Sequence, residues 1–225
     1  MELQIADIAT LIGEPVRAKI LWALLDGRAY TATELALFAD ASPQNASIHL
    51  SKLVKADFLE VATQGRHRYY RFSNQNVAYA IEALANLIPD NKARSKPADE
   101  KHGIKYCRTC YDHLAGKVGV LINEALITKG ITVQSENNYR VSDSGIEWFF
   151  RMGIDVDLLK DERRFFAKPC LDWSERRYHI AGALGAAILQ RMLLLDWVRK
   201  TKNSRTVLVT TKGKKELYEN LGIEV

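Results

Sequence analysis

Apolar and polar positions alternate with a helical period over most of residues 1–90. Ile5, Ile8, Ala9 and Ile12 predict a first helix that stops at Gly13. Pro15 opens a second, whose stripe is Val16, Ile20, Leu21, Leu24 and Leu25 and which ends at Asp26-Gly27. Thr31 and Glu34 stand at capping-box spacing, so a short third helix starts there and carries Leu35 and Phe38 inward. After a tight turn at Ala39–Ala41, Ser42 is an N-cap and Pro43 a first helical residue. This fourth helix runs to about Ala56 with Ala46, Leu50, Leu53 and Val54 on one face. Aromatic and β-branched residues then flank Gln64-Gly65, which predicts a hairpin. Val77, Ile81, Leu84 and Ile88 mark a fifth helix from about Asn74.

The pattern changes at Pro89. A polar, charged stretch containing Pro97 reads as a linker over residues 91–103. Beyond it the chain repeats itself. His113-Leu114-Ala115-Gly116 and Gly119 return as His179-Ile180-Ala181-Gly182 and Gly185. Val141-Ser142-Asp143-Ser144-Gly145 returns as Val209-Thr210-Thr211-Lys212-Gly213. Each copy reads as a long helix, a short hairpin and a closing helix, over about 104–157 and 170–225. The expected fold is mostly α with small β-hairpins (α+β). Residues 1–90 form one domain and 104–225 a duplicated one.

Composition narrows the function. At 225 residues and 47% hydrophobic, the chain can build two cores. No apolar run is long enough to span a bilayer. Met1–Gly13 contains Glu2 and Asp7 and lacks a basic start, so it does not read as a signal peptide, and the expected location is the cytoplasm. The net charge of +5 permits an anionic partner. A tight turn between two helices followed by a basic hairpin suits duplex DNA, whose major groove admits one helix. The outward residues of the fourth helix are Gln44, Asn45, Ser47, Ile48, Ser51, Lys52 and Lys55. Asn and Gln pair with adenine, Ile48 can meet a thymine methyl, and the lysines suit phosphates. Gln64, Arg66, His67 and Arg68 at the hairpin tip, with Arg17 near a helix start, complete the candidate DNA contacts.

Three motifs occur in order: Gly13-Glu14-Pro15-Val16-Arg17, Ser47-Ile48-His49-Leu50-Ser51-Lys52-Leu53, and Gly65-Arg66-His67-Arg68-Tyr69-Tyr70-Arg71-Phe72. Together they resemble the ArsR family of bacterial winged helix-turn-helix regulators over the first third of the chain. The resemblance implies a homodimeric repressor bound to a double-stranded DNA operator and released by an inducer. It also implies that the first and fifth helices form the dimer, through Ile5, Ile8, Ile12, Val77, Ile81, Leu84 and Ile88. The family's Cys-x-Cys metal site is absent, because Leu35-Ala36-Leu37 stands there. Its fifth-helix site is absent too, since residues 74–88 hold neither His nor Asp. Ile48 replaces a usually basic residue.

Three cysteines are an odd count for a disulfide framework. Cys107 and Cys110 form a CxxC with His113 following; if helical, all three share a face. With Cys170 they are candidate ligands for a thiophilic metal ion, and His179 is a further donor. The same thiols can instead sense an oxidant, or be structural. A thiol-disulfide enzyme is disfavoured because no βαβ pattern surrounds the CxxC. A winged helix that docks another protein, with no DNA role, is the remaining alternative.

Overall fold

The computed structural model describes residues 2–88, 103–135, 137–202 and 204–225, and divides into two compact units, Met1–Ala85 and Asn86–Val225. The linker expected over 91–103 lies outside the described residues except for Gly103.

In the first unit, α1 (Glu2–Gly13) is followed by α2 (Pro15–Ala23), where Glu14 caps the helix by accepting from the Arg17 amide at 2.9 Å. A 3₁₀ turn, Leu24–Asp26, ends at Gly27. Strand β1 (Tyr30–Thr31) leads into α3 (Ala32–Ala39), and Thr31 and Glu34 form the reciprocal cap. Helix α4 (Pro43–Lys55) starts at Ser42, whose hydroxyl accepts from the Asn45 amide. Strands β2 (Leu59–Gln64) and β3 (His67–Phe72) form the hairpin, and α5 (Gln75–Asn86) follows. Sheet order is β1-β3-β2, all antiparallel, with Tyr30 opposite Tyr70 and Val61 opposite Tyr70 on the other side. Ile20, Leu21, Leu24, Leu35, Leu50, Leu53 and Leu59 are fully buried and make the core.

One core expectation fails. Phe38 is 56% exposed and packs edge-on against Tyr30, with ring centroids 5.3 Å apart. The capping box fixes the phase of α3 so that Leu35, Ala36 and Ala39 face inward. At 3.6 residues per turn Phe38 then lies about 100° from the centre of that face. The short β1 has no sequence signal beyond Tyr30 and was not expected.

In the second unit the duplication is larger than the sequence suggested, because each copy begins with a hairpin. The first copy runs β4 (Arg108–Cys110), β5 (His113–Ala115), α6 (Gly116–Thr128), β6 (Thr132–Ser135), β7 (Asn138–Val141) and α7 (Asp143–Arg151). A short α8 (Val156–Lys160) follows it. The second copy runs β8 (Lys168–Leu171), β9 (Tyr178–Ala181), α9 (Gly182–Leu194), β10 (Val198–Lys200), β11 (Val207–Val209) and α10 (Thr211–Leu221). Every hairpin is antiparallel.

The repeated motifs have the same physical cause in both copies. Ser142 and Thr210 cap α7 and α10 by accepting from the Gly145 and Gly213 amides at 3.0 and 2.9 Å. Their own amides donate to Ile131 O and Trp197 O. A Cβ on Gly145 or Gly213 would lie 2.1 or 1.9 Å from those same carbonyl oxygens. The glycine therefore recurs because the closing helix sits directly on the strand backbone. Val118, Leu126, Phe149, Leu184, Met192, Trp197 and Leu217 are among the buried residues of one core shared by both copies.

Candidate nucleic-acid interface

Helix α4 separates its two faces cleanly. Ala46, His49, Leu50 and Leu53 are buried, whereas Gln44, Asn45, Ser47, Ile48, Ser51, Lys52 and Lys55 are exposed. Val54, expected inward, is half-buried at the edge of the core. The helix carries no acidic residue, and Lys52 and Lys55 occupy its last turn. Gln44 and Asn45 lie in its first turn, the part of a recognition helix that reaches base edges.

The β2–β3 hairpin turns at Gly65-Arg66, where Gly65 takes φ +61°, a conformation that favours glycine. Gln64, Arg66, His67 and Arg68 are all exposed around this turn. The Arg68 guanidinium lies 5.8 Å from the centroid of the Tyr70 ring, so the strand beneath supports its stem. Arg71 is engaged within the hairpin, donating to Glu60 Oε1 at 2.5 Å. The wing tip therefore offers Arg66 and Arg68 as its outward cations.

Arg17 departs from expectation. Its side chain is buried, and it donates to Leu11 O and, at 2.8 Å, to Thr10 O, carbonyls in the last turn of α1. Its Nη1 also lies 3.3 Å from His49 Nδ1, which stands 3.1 Å from Glu14 Oε2. Burial works against the Glu14 carboxylate, but hydrogen bonds from the Arg17 and Val16 amides, with the His49 and Arg17 charges, hold it below its usual range. Arg17 thus ties α1, α2 and α4 together. Most of its reach is therefore turned inward, although it also lines an open cleft with Lys52 and Lys55.

The expected dimer residues divide as well. Ile5, Ile8, Leu84 and Ile88 are exposed, and so is Leu87, which the helical spacing had not singled out. Val77 is half-buried. Ile81 is buried in the core of its own unit and Ile12 is packed against it, so those two serve the fold.

A helix-turn-helix domain family matches residues 12–62, the span from the end of α1 through α4 into the hairpin. Over its whole length the chain is 42% identical to the uncharacterized HTH-type transcriptional regulator YdfF of Bacillus subtilis (strain 168), the alignment covering 100% of both chains. The chain belongs to the helix-turn-helix transcriptional regulators. As a member of that family it is a DNA-binding regulator with a winged fold. Solved structures resemble it over part of the chain only. A predicted DNA-binding transcriptional regulator from E. coli is 23% identical, covering 39% of this chain and 92% of that one, with a TM-score of 0.36. The transcriptional repressor BigR from Xylella fastidiosa is 19% identical, covering 40% and 91%, with a TM-score of 0.37. Among the described residues, no helix of this regulator is long and apolar enough to cross a membrane.

The regulator's cysteines are arranged differently from the CxxC reading. The motif lies on a β-hairpin, so Cys107 and Cys110 do not share a helical face. Cys107 is fully buried in the core, and burial pushes its thiol up to about 12. The donors that do converge are Cys110, His113, Cys170 and His179, whose ligand atoms all lie within 4.8 Å of one another. His179 takes the place expected of Cys107. The sequence signal for it was the paired histidine of the repeat, each with a cysteine upstream on the facing strand.

Proposed function

We propose that this regulator is a homodimeric repressor of the cytoplasm that reads a palindromic operator and is released when its second unit receives an inducer. The observation that carries the reading is the exposed face of α4, polar and basic apart from Ile48 and free of acidic residues, with the exposed Arg66–Arg68 wing tip. Asn45, Gln44, Ser47 and Ile48 read base edges, while Lys52, Arg66, His67 and Arg68 hold the backbone. Exposed Ile5 and Ile8 on α1, with Leu84 on α5, supply apolar surface in the first unit that a second copy covers. Two copies then present two α4 helices to successive major grooves.

Mobility shifts on duplexes selected from genomic DNA test this reading. Arg66→Ala weakens every duplex and lowers the salt slope by about one phosphate contact. Asn45→Ala changes which sequence is preferred, at a cost of roughly 1–3 kcal/mol on the chosen site. An Arg66→Ala protein that binds all duplexes as before would refute the wing assignment. Ile5→Glu with Leu84→Glu yields a monomer by sedimentation and loses operator binding.

A further inference from the structure

The leading hairpins of the two repeats meet in the interior of the second unit. Cys110 pairs directly across from His113, and Cys170 directly across from His179. The two imidazoles face each other through Nε2, 3.2 Å apart, with ring centroids at 5.1 Å. Each Nδ1 is turned to a carboxylate: His113 lies 3.4 Å from Asp112 Oδ1 and His179 lies 3.4 Å from Asp172 Oδ2. Those carboxylates are themselves anchored, Asp112 by Arg164 at 2.7 Å and Asp172 by Arg108 at 2.9 Å. His113, His179 and Cys110 are buried and Cys170 is partly so. At His113 the Asp112 carboxylate favours the tautomer whose Nε2 carries a lone pair, whereas His179 Nδ1 lies at ion-pair distance from Asp172 without a hydrogen bond to it. With one ring carrying its proton on Nε2 the two nitrogens share a hydrogen bond; with neither protonated there, both lone pairs converge on the point where a cation would sit.

We propose that Cys110, His113, Cys170 and His179 bind one divalent ion of the zinc class in a tetrahedral S₂N₂ site that clasps the two repeats together. A tetrahedral zinc with ordinary Zn–N bonds sets its two nitrogens about 3.4 Å apart, close to the separation present. Two thiolates cancel the charge of a divalent ion, so the buried site carries no net charge. Four protein donors close the coordination sphere, as in structural rather than catalytic zinc sites. Asp112 orients the His113 ring from behind, and Asp172 supplies a nearby negative charge to the His179 ring.

The glycines that recur with the histidines fit the same geometry. A Cβ on Gly119 would lie 3.6 Å from His179 Cβ, and one on Gly185 would lie 3.2 Å from His113 Cβ. The closest atoms lie within each copy, Leu114 O at 2.6 Å from a Cβ on Gly119 and Ile180 O at 2.4 Å from one on Gly185, so the glycines first let each helix sit on its own leading strand, and the histidine of the other copy packs beside them. One repeat holds half of a site, and the pair completes it. A disulfide between Cys110 and Cys170 would use both thiols but would leave the two facing Nε2 atoms and their carboxylates without a purpose.

The test uses the full chain, and none of its readouts involves DNA, so it fails or succeeds separately from the operator reading. The purified reduced protein contains one zinc per chain. After chelator treatment, cobalt(II) gives the intense visible bands of a tetrahedral ion and a thiolate-to-cobalt charge-transfer band, and zinc displaces it. Cys110→Ser with Cys170→Ser abolishes the charge-transfer band, while Cys107→Ala retains it. Asp112→Asn, at a partly exposed side chain, weakens cobalt binding by about tenfold. Should the serine variants fail to fold, the cobalt spectrum of the unaltered chain and the Asp112→Asn affinity still decide. A weak octahedral spectrum, a charge-transfer band that survives the double serine change, or a reduced chain that takes up no cobalt yet forms a Cys110–Cys170 disulfide under mild oxidation would each overturn the proposal.

Discussion

The wing and the Cys/His hairpins are built alike and face opposite ways. On the wing an arginine meets a carboxylate across one antiparallel pair; in the second unit an arginine of one hairpin meets a carboxylate of the next. On the wing, Arg71 pairs with Glu60 at side-chain exposures of 50% and 46%. On β4, Arg108 pairs with Asp172 at 1% and 0%. In the wing the remaining polar groups project into solvent, where a phosphate can reach them. In the second unit they turn inward and must find partners within the chain. Asp172 accordingly accepts from Arg108 Nη2 and from the Gly116 amide at the start of α6, at 2.9 and 2.7 Å, and its other oxygen accepts from the Ser174 amide and hydroxyl. Location, not composition, decides whether such a pair is a recognition element or a structural one.

The largest expected effect tests the buried side of this contrast. Asp172→Ala takes the carboxylate away from the buried Arg108 guanidinium, which keeps Ile104 O, Ser174 Oγ and the Trp173 ring, and costs about 4 kcal/mol. Urea unfolding followed by fluorescence checks it, because Trp148, Trp173 and Trp197 all belong to the second unit. A cost below about 1 kcal/mol would mean that water reaches Arg108, and the contrast would collapse.

Glycines give the next pair. Gly213→Ala drives a Cβ toward Trp197 O, a backbone atom that cannot swing aside, and costs about 3 kcal/mol. Gly65→Ala on the wing meets no atom within 4 Å and is strained only by its positive φ, so it costs about 1 kcal/mol. Equal costs in urea unfolding followed by circular dichroism, which sees the helices of both units, would show that the closing helices are not seated on the strand backbone. Arg17→Met comes next, at about 2 kcal/mol for lost hydrogen bonds from a charged group. Its salt slope for DNA stays unchanged, and a slope lowered by about one contact would return Arg17 to the phosphate backbone.

Local signals carried much of the first unit. Pro15, the caps at Thr31 and Ser42 and the Gly65 turn are single-residue devices, and each acts within its own segment. The same locality missed the structural side of Arg17, which lies near a helix start and also donates to two α1 carbonyls, a contact that spacing does not encode. In the second unit the repeat was legible where both copies keep the same spacing, as at Ser142–Gly145 and Thr210–Gly213. The leading hairpins were not, because Cys110 and His113 stand three positions apart whereas Cys170 and His179 stand nine apart. The longer second loop breaks the alignment although the strand pairing is identical. The CxxC therefore drew attention to Cys107, whose thiol faces the core, and away from His179.

The smallest effect sharpens the contrast most. Glu60→Gln removes the carboxylate of an exposed pair, and such pairs contribute only about 0.5 kcal/mol, so the unfolding midpoint barely moves. What changes is the wing. Arg71 loses its partner, and a hairpin already carrying Arg66 and Arg68 gains one unit of net positive charge. Duplexes of any sequence then bind slightly tighter at low salt, with no change in preference, because an unpaired cation acts on the phosphate backbone and not on base edges. The same change of charge around Arg108 would be a folding defect. If Glu60→Gln destabilised the protein as much as Asp172→Ala, the wing would be a second buried clasp and could not serve as the part that grips DNA.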